Sequence, residues 1–115
     1  MRIAIVGSRD FTDLGKVEKE VLKRISVEKI EKVVSGGAKG ADTLAKKFAE
    51  KYKIPLLEFL PDWKKYGKGA GLMRNTSIVE NADMVFAFPT KNSKGTRDTI
   101  RKATEKGKIV KVFEV

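Results

Sequence analysis

The sequence contains no cysteine and no histidine. Without cysteine there are no disulfides, no thiolate nucleophile and no cysteine-bound zinc or iron–sulfur cluster. Without histidine there is no Ser-His-Asp catalysis and no imidazole acid–base chemistry. Any chemistry must therefore come from carboxylates, lysine, tyrosine, hydroxyl groups, backbone N–H groups or an oxygen-ligated metal. We assign no metal-ligating residues and expect no required cofactor, and whether a metal binds stays open at this point.

Long hydrophobic runs are also missing. The apolar segment that follows Met1 and Arg2 stops at Gly7, and the run from Met84 to Phe88 is far too short to span a bilayer. We therefore expect no signal peptide, no membrane partner and a cytoplasmic protein. With 115 residues, 41% of them hydrophobic and 35% charged, the chain is predicted to fold as one domain over residues 1–115.

Positive charge is in excess, with 25 basic and 15 acidic side chains and a formal net charge of +10. Such an excess favours phosphate-bearing partners, either small molecules or nucleic acid. However, lysines alternate with glutamates at 16–20 and 28–32, which is typical of a solvated helix face. Net charge alone therefore does not identify the partner, and nucleic acid is the less favoured of the two.

Two hydrophobic periodicities alternate along the chain. Short apolar runs predict buried strands at 3–6, 30–34, 54–60, 83–88 and 109–115, and helical spacing predicts helices at about 14–25, 41–52, 72–81 and 95–106. Residues 61–71 are predicted as a loop. This alternation predicts an α/β fold, a doubly wound parallel sheet of five strands with helices on both faces.

Clusters of glycine, proline and charged residues follow four of the predicted strands. Because the carboxyl ends of parallel strands share one edge of a sheet, where doubly wound folds bind ligands, we predict a binding site at that edge. The predicted ligand-binding residues are Gly7, Ser8, Arg9, Ser35, Gly36, Gly37, Ala38, Lys39, Gly40, Ala41, Asp42, Trp63, Arg74, Asn75, Pro89, Lys94, Gly95 and Thr96.

The segment 35–42 reads Ser-Gly-Gly-Ala-Lys-Gly-Ala-Asp and joins a strand to a helix. Glycines let a backbone approach an anion closely, and the N–H groups at a helix start attract phosphate. The structural alternative is that these glycines only permit close packing of strand and helix. Gly95 and Thr96 open the last helix in the same way, with Thr96 as a candidate N-cap. Two such helix starts suit a nucleotide phosphate or a diphosphate.

Arginine and aromatic side chains complete the prediction. Arg9 and Arg74 suit bidentate phosphate contacts, with a helix-surface role as the alternative for Arg74. Trp63, the only tryptophan, either stacks on a base or covers the end of the sheet. Phe11 and Tyr66 are the other aromatics expected to be exposed.

Taken in order, Gly7-Ser8-Arg9, segment 35–42, Arg74-Asn75 and Gly95-Thr96 resemble the SLOG superfamily. This superfamily includes the DNA-processing DprA (Smf) proteins and the LOG phosphoribohydrolases. The spacing of the segments around Trp63 and Arg74 is most similar to the small YspA-like, YpsA-related branch. The resemblance covers nearly the whole chain. It implies a Rossmann-like sheet in the order 3-2-1-4-5 with a nucleotide pocket at these positions, and a homodimer, as LOG relatives form, stays open.

One departure from the LOG pattern separates the functional hypotheses. LOG enzymes carry a glutamate three residues after the threonine of their Gly-Thr segment, whereas this chain has Thr99, preceded by Asp98. We therefore predict first a sensor or binding module for a nucleotide or an ADP-ribose-like ligand. Its phosphates would lie on the N–H groups of residues 36–41 and 95–97, and its base on Trp63.

Two alternatives remain open. The first is a hydrolase that cleaves the N-glycosidic bond of a nucleoside 5′-monophosphate, with Asp42 or Asp98 as acid–base residue. The second is binding of single-stranded DNA, which would require stacking aromatics and a basic groove.

Overall fold

The computed structural model describes residues 1–37 and 40–115, and over these residues it contains five strands and five α-helices. The strands are β1 (Arg2–Gly7), β2 (Lys32–Ser35), β3 (Leu56–Glu58), β4 (Met84–Phe88) and β5 (Ile109–Val112). The helices are α1 (Leu14–Leu22), α2 (Ala41–Lys51), α3 (Trp63–Tyr66), α4 (Ala70–Glu80) and α5 (Lys94–Glu105). Two 3₁₀ turns lie at Val27–Lys29 and Gly67–Gly69.

The strands form one parallel sheet in the order β3-β2-β1-β4-β5, which confirms the predicted fold and strand order. β1 lies at the centre, where Ile3 pairs with Val33 of β2 and with Met84 of β4. Burial on both faces explains its uninterrupted apolar run. The chain leaves β1 toward β2 and β3, then returns to the other side of β1 as β4. The strand order therefore switches direction between β1 and β4, where a crevice is expected.

Two hydrophobic cores flank the sheet. Ile3 and Ile5 point toward α1 and α2 and pack in the core that contains Phe48, whereas Ala4 and Val6 point the other way. The second core is closed by α4 and α5, which pack against each other. Helices therefore cover both faces, as the doubly wound arrangement requires.

The predicted loop at 61–71 is wrong, because most of it is helical. Asp62 caps α3 by accepting the Lys65 N–H at 3.1 Å, and α4 begins at Ala70 rather than at residue 72. A helix of one turn is too short to show a 3.6-residue periodicity, so the pattern could not reveal it. The edge strands β3 and β5 are shorter than the predicted 54–60 and 109–115, and β2 begins at Lys32 rather than at residue 30.

Two smaller expectations are also wrong. α5 begins at Lys94 with Ser93 in the N-cap position, so Thr96 is the third residue of the helix and not its cap. Phe11 is only 7% exposed and stacks on Phe88 with ring centroids 4.9 Å apart, so it is a core residue. Among the described helices, none has the length and apolar character needed to cross a membrane.

Candidate functional site

A cavity of about 430 Å³ opens at the carboxyl ends of β1 and β4, where the strand order changes direction. This volume lies within the usual range for small-molecule sites. The lining residues are Val6, Gly7, Ser8, Arg9, Asp10, Asp42, Arg74, Asn75, Ile78, Thr90, Asn92, Ser93, Lys94, Gly95, Thr96 and Thr99.

The structure brings half of the predicted ligand-binding residues together around this cavity. These are Gly7, Ser8, Arg9, Asp42, Arg74, Asn75, Lys94, Gly95 and Thr96. Outside the lining lie Ser35, Gly36, Gly37, Gly40, Ala41, Trp63, Pro89 and Asp98. Ala38 and Lys39 lie outside the described residues. The polar lining residues that were not predicted are Asp10, Thr90, Asn92, Ser93 and Thr99. The first four lie in the clusters 7–10 and 89–96 that follow two strands, and this position could have identified them as site residues.

Close packing accounts for the glycines of the turn after β2. Gly40 has a φ of +73°, and a Cβ there would clash with the carbonyl oxygens of Ser8 and Arg9. A Cβ on Gly36 would clash with the Arg74 guanidinium. The N–H of Gly37 is donated to Ser35 Oγ at 3.2 Å and that of Ala41 to the Ser8 carbonyl at 3.2 Å. The predicted phosphate contacts are therefore not available at these two N–H groups.

The start of α5 is different, because its N–H groups are open to the cavity. Lys94 N–H is donated to the Asn92 carbonyl and Arg97 N–H to the Ser93 carbonyl, each at 3.0 Å. Within the described part of the chain, no acceptor takes the N–H of Gly95 or Thr96, or the Thr96 hydroxyl. The positive end of this helix therefore faces the cavity with two free backbone donors.

Gly95 has no structural reason to be glycine. Its φ lies outside the left-handed region, and a Cβ built on it would meet nothing within 4 Å. This contrasts with Gly40, which both its φ and its neighbours require to be glycine. Gly95 is exposed and lines the cavity. A glycine at such a position allows an external group to approach the backbone closely.

Arg74 and Asn75 tie the turn after β2 to the start of α5. Arg74 Nη1 donates to the Gly36 carbonyl at 2.8 Å, and its Nε donates to Asn75 Oδ1 at 3.1 Å. Asn75 Nδ2 donates to the Gly95 carbonyl and to Asp98 Oδ2, both at 3.2 Å. These contacts occupy two of the guanidinium N–H donors of Arg74 and leave the others for the cavity. The network therefore fixes both loops and holds a cation between them.

The cavity carries charges of both signs. Arg9 and Lys94 bring cations to its rim, and neither side chain has an ion-pair or hydrogen-bond partner among the residues that the structure describes. Asp10 and Asp42 bring carboxylates to the same cavity. This combination can bind the phosphates of a ligand and also accept hydrogen bonds from its hydroxyl groups.

Asp98, a predicted acid–base residue, lies beside the cavity and is paired. Burial raises the pKa of its carboxyl group, but hydrogen bonds from Lys102, Asn75 and Arg101 together outweigh burial and lower that pKa below its ordinary value. The distances from Asp98 to Lys102 and Arg101 are 3.0 and 2.9 Å. Asp98 is therefore ionised at neutral pH and is unsuited to donating a proton as a general acid.

Trp63 lies apart from the other predicted site residues. It lies on α3, is 60% exposed, and is not among the residues that line the cavity. It therefore neither covers the end of the sheet nor faces the cavity where a base would bind. Over residues 1–37 and 40–115, no group of three or more acidic side chains is placed to hold a metal ion.

Comparison with known proteins gives one family match and one curated relative. The profile of the YspA, cpYpsA-related SLOG family (YAcAr) matches residues 1–66. The Gene 61 protein of Mycobacterium phage D29 is 36% identical in an alignment that covers 92% of this chain and 90% of that protein.

Two solved structures share the fold. DNA processing protein A (DprA) from Streptococcus pneumoniae superimposes with a TM-score of 0.77 and 21% identity over 96% of this chain and 49% of DprA. The chain therefore spans about half of the length of DprA. The structural genomics target TM1055 superimposes with a TM-score of 0.67 and 22% identity over 95% of this chain and 71% of TM1055.

Proposed function

The chain belongs to the YspA, cpYpsA-related SLOG family, and from this premise we propose that it binds a nucleotide or a nucleotide-derived ligand, such as an ADP-ribose-like compound, in the cavity at the carboxyl ends of β1 and β4. It acts as a binding or sensing module. The observation that carries the proposal is the start of α5. Two backbone N–H groups there have no acceptor among the described residues, and Gly95, which the packing does not require to be glycine, lines the cavity.

A phosphate group occupies the space in front of Gly95. There it accepts hydrogen bonds from the N–H groups of Gly95 and Thr96 and from the Thr96 hydroxyl, and it lies at the positive end of a twelve-residue helix. Lys94 and Arg9 supply the neutralising charge from the rim. We therefore place the phosphate at α5, without the N–H groups of Gly37 and Ala41, which are donated within the chain.

The remaining lining suits the sugar and the base. Asp10 and Asp42 accept hydrogen bonds from ribose hydroxyls, and Asn92 offers an amide to either part. Val6 and Ile78, both almost fully buried, form an apolar floor in the same cavity. The base is bound within the cavity and not on Trp63, which lies outside it.

Ligand-induced stabilisation tests this proposal. Thermal unfolding and calorimetry are measured with AMP, ADP, ADP-ribose and inorganic phosphate. A ligand at one hundred times its Kd stabilises the folded chain by about 2.7 kcal/mol. Lys94→Ala should weaken binding, whereas Lys91→Ala, which removes an exposed lysine three residues earlier and outside the cavity lining, should not. If no phosphate-bearing compound stabilises the chain at millimolar concentration, the proposal is wrong.

Hydrolysis of an N-glycosidic bond is the second candidate, because two carboxylates, Asp10 and Asp42, line the same cavity. A carboxylate near a sugar carbon can stabilise a ribosyl cation or activate water. Chromatography of AMP incubations would detect release of the base. Turnover that survives both Asp10→Asn and Asp42→Asn would exclude these roles, and binding without release of the base would leave a binding module.

A further inference from the structure

A second surface, distinct from the cavity, presents aromatic and basic side chains to solvent. Every residue from Asp62 to Lys68 is exposed, although the segment is helical. Trp63 is 60% exposed and Tyr66 41%. Residues three apart in a helix lie on the same side of it, so Trp63 and Tyr66 share one side of α3. We call this surface, made of Trp63, Lys64, Lys65, Tyr66 and Lys68, the α3 face.

The charge of the α3 face has one sign. Residues 63–79 contain no aspartate and no glutamate. The Lys65 ammonium lies 5.1 Å from the centroid of the Tyr66 ring, so a cation and a ring are presented together. Lys64 and Lys68 form no ion pair with any described residue. The nearest preceding acid, Asp62, caps α3 through the Lys65 N–H.

Exposed aromatic rings that alternate with lysines can bind a polyanion that also carries flat ring systems. Unpaired bases stack on aromatic side chains, and the phosphates between them pair with lysines. We propose that the α3 face binds single-stranded nucleic acid. Bases stack on Trp63 and Tyr66, and phosphates contact Lys64, Lys65 and Lys68. This site is separate from the proposed nucleotide cavity, whose lining includes none of these residues.

Other occupants fit the α3 face less well. In a symmetric contact between two copies, each α3 face would meet the same patch, which brings lysines of like charge together. α3 has four residues, so it lacks the long apolar stripe with which an amphipathic helix lies in a membrane surface. A nucleic-acid duplex offers phosphates but keeps its bases stacked inside. The net charge of +10 steers any polyanion toward the molecule.

Intrinsic fluorescence tests the proposal directly, because Trp63 is the only tryptophan of the chain. Oligo(dT) and oligo(U) of about 15 nucleotides, long enough for a site of this kind, are titrated into the protein. Stacking should quench the tryptophan emission to saturation. Contacts with three phosphates should give a slope of log K against log salt of about −2. The two arms show whether DNA or RNA is preferred, and saturable quenching by either supports the proposal.

Matched variants assign the binding to the α3 face. Tyr66→Ala should weaken binding by about fivefold or more, and Trp63→Ala, followed by anisotropy of a labelled oligonucleotide, should do the same. The triple change of Lys64, Lys65 and Lys68 to alanine should remove most of the salt dependence. The control replaces three exposed lysines of α1 and α2, on the opposite face of the sheet, with alanine: Lys19, Lys46 and Lys47. It loses the same charge but should keep the slope.

Several results would overturn the proposal. One is the absence of both quenching and anisotropy change with either oligonucleotide. Another is equal binding of a duplex of the same length, which would show that the protein binds phosphate charge without stacking on bases. Loss of oligonucleotide binding in Lys94→Ala, with the α3 variants unaffected, would place the strand in the cavity instead. Self-association of the unliganded protein that Trp63→Ala abolishes would assign the face to a second copy. Failure of nucleotides to bind the cavity leaves this test unchanged.

Discussion

Replacing Gly95 with alanine separates a ligand-binding role from a structural one. Among residues 1–37 and 40–115, a methyl group at this position meets no atom within 4 Å outside its own helix backbone and chain neighbours. The φ of Gly95 lies outside the left-handed region, so the fold tolerates the change. Gly95 lines the cavity, and the added methyl group takes up open space beside the two free N–H groups of α5. Gly95→Ala should therefore leave the fold intact and remove the closest approach of a phosphate.

The two expected effects have opposite signs. Alanine is favoured over glycine in a helix by roughly 0.5–1 kcal/mol, so the free energy of unfolding should rise by up to that amount. A hydrogen bond to a charged group is worth about 1.5–3 kcal/mol, so blocking one or both N–H donors should weaken phosphate binding by roughly ten- to a hundredfold or more. A merely structural glycine would lose stability and leave affinity unchanged, so the two roles give different results.

Gly71→Ala is the matched control. Gly71 is also the second residue of its helix, α4, its φ is also outside the left-handed region, and a Cβ on it also meets nothing within 4 Å. It does not line the cavity. Urea unfolding should show a similar gain in stability for both variants, whereas calorimetry with the best-binding nucleotide should show a loss of affinity for Gly95→Ala alone. Equal affinities in the two variants would refute a phosphate site at α5.

Three further predictions concern stability. Gly40→Ala should lower the free energy of unfolding by at least ~2 kcal/mol in urea, because it places a Cβ at a φ of +73° against two carbonyl oxygens; a stable variant would show that the turn relaxes. Lys53→Gly should raise that free energy by roughly 0.5–1 kcal/mol, because Lys53 has a φ of 55° just beyond α2, and no gain in urea would contradict the reasoning. The pKa of Asp98 is lower in the folded chain than in the unfolded chain, so its stabilising contribution is complete above an ordinary aspartate pKa of about 3.9 and is lost as the pH falls through the folded value. Urea unfolding at a series of pH values should therefore show a weaker acid dependence for Asp98→Asn, and an unchanged dependence would contradict this assignment.

The sequence predicts the fold better than it predicts the site. Strand order and helix faces follow from hydrophobic periodicity and from the family resemblance, because buried strands and amphipathic helices must repeat their apolar residues at fixed intervals. α3 could not be predicted in this way. It is a single helical turn capped by Asp62, and one turn is too short to repeat apolar residues at the helical interval. The position of Trp63 follows from where α3 begins, and its residue type does not distinguish a ring over a base from a ring in solvent.

The glycines show why a motif locates a site only approximately. The turn after β2 has the more conspicuous run, yet Gly36 and Gly40 are required by the side chain of Arg74 and by the backbone of Ser8 and Arg9. A sequence records that glycine is present but not whether a neighbouring atom or an external ligand excludes the Cβ. Only contacts separate the two cases, and they assign open space to Gly95. The turn after β2 therefore fixes the geometry through Arg74, whereas the start of α5 is the part of the cavity lining at which we propose a phosphate contact.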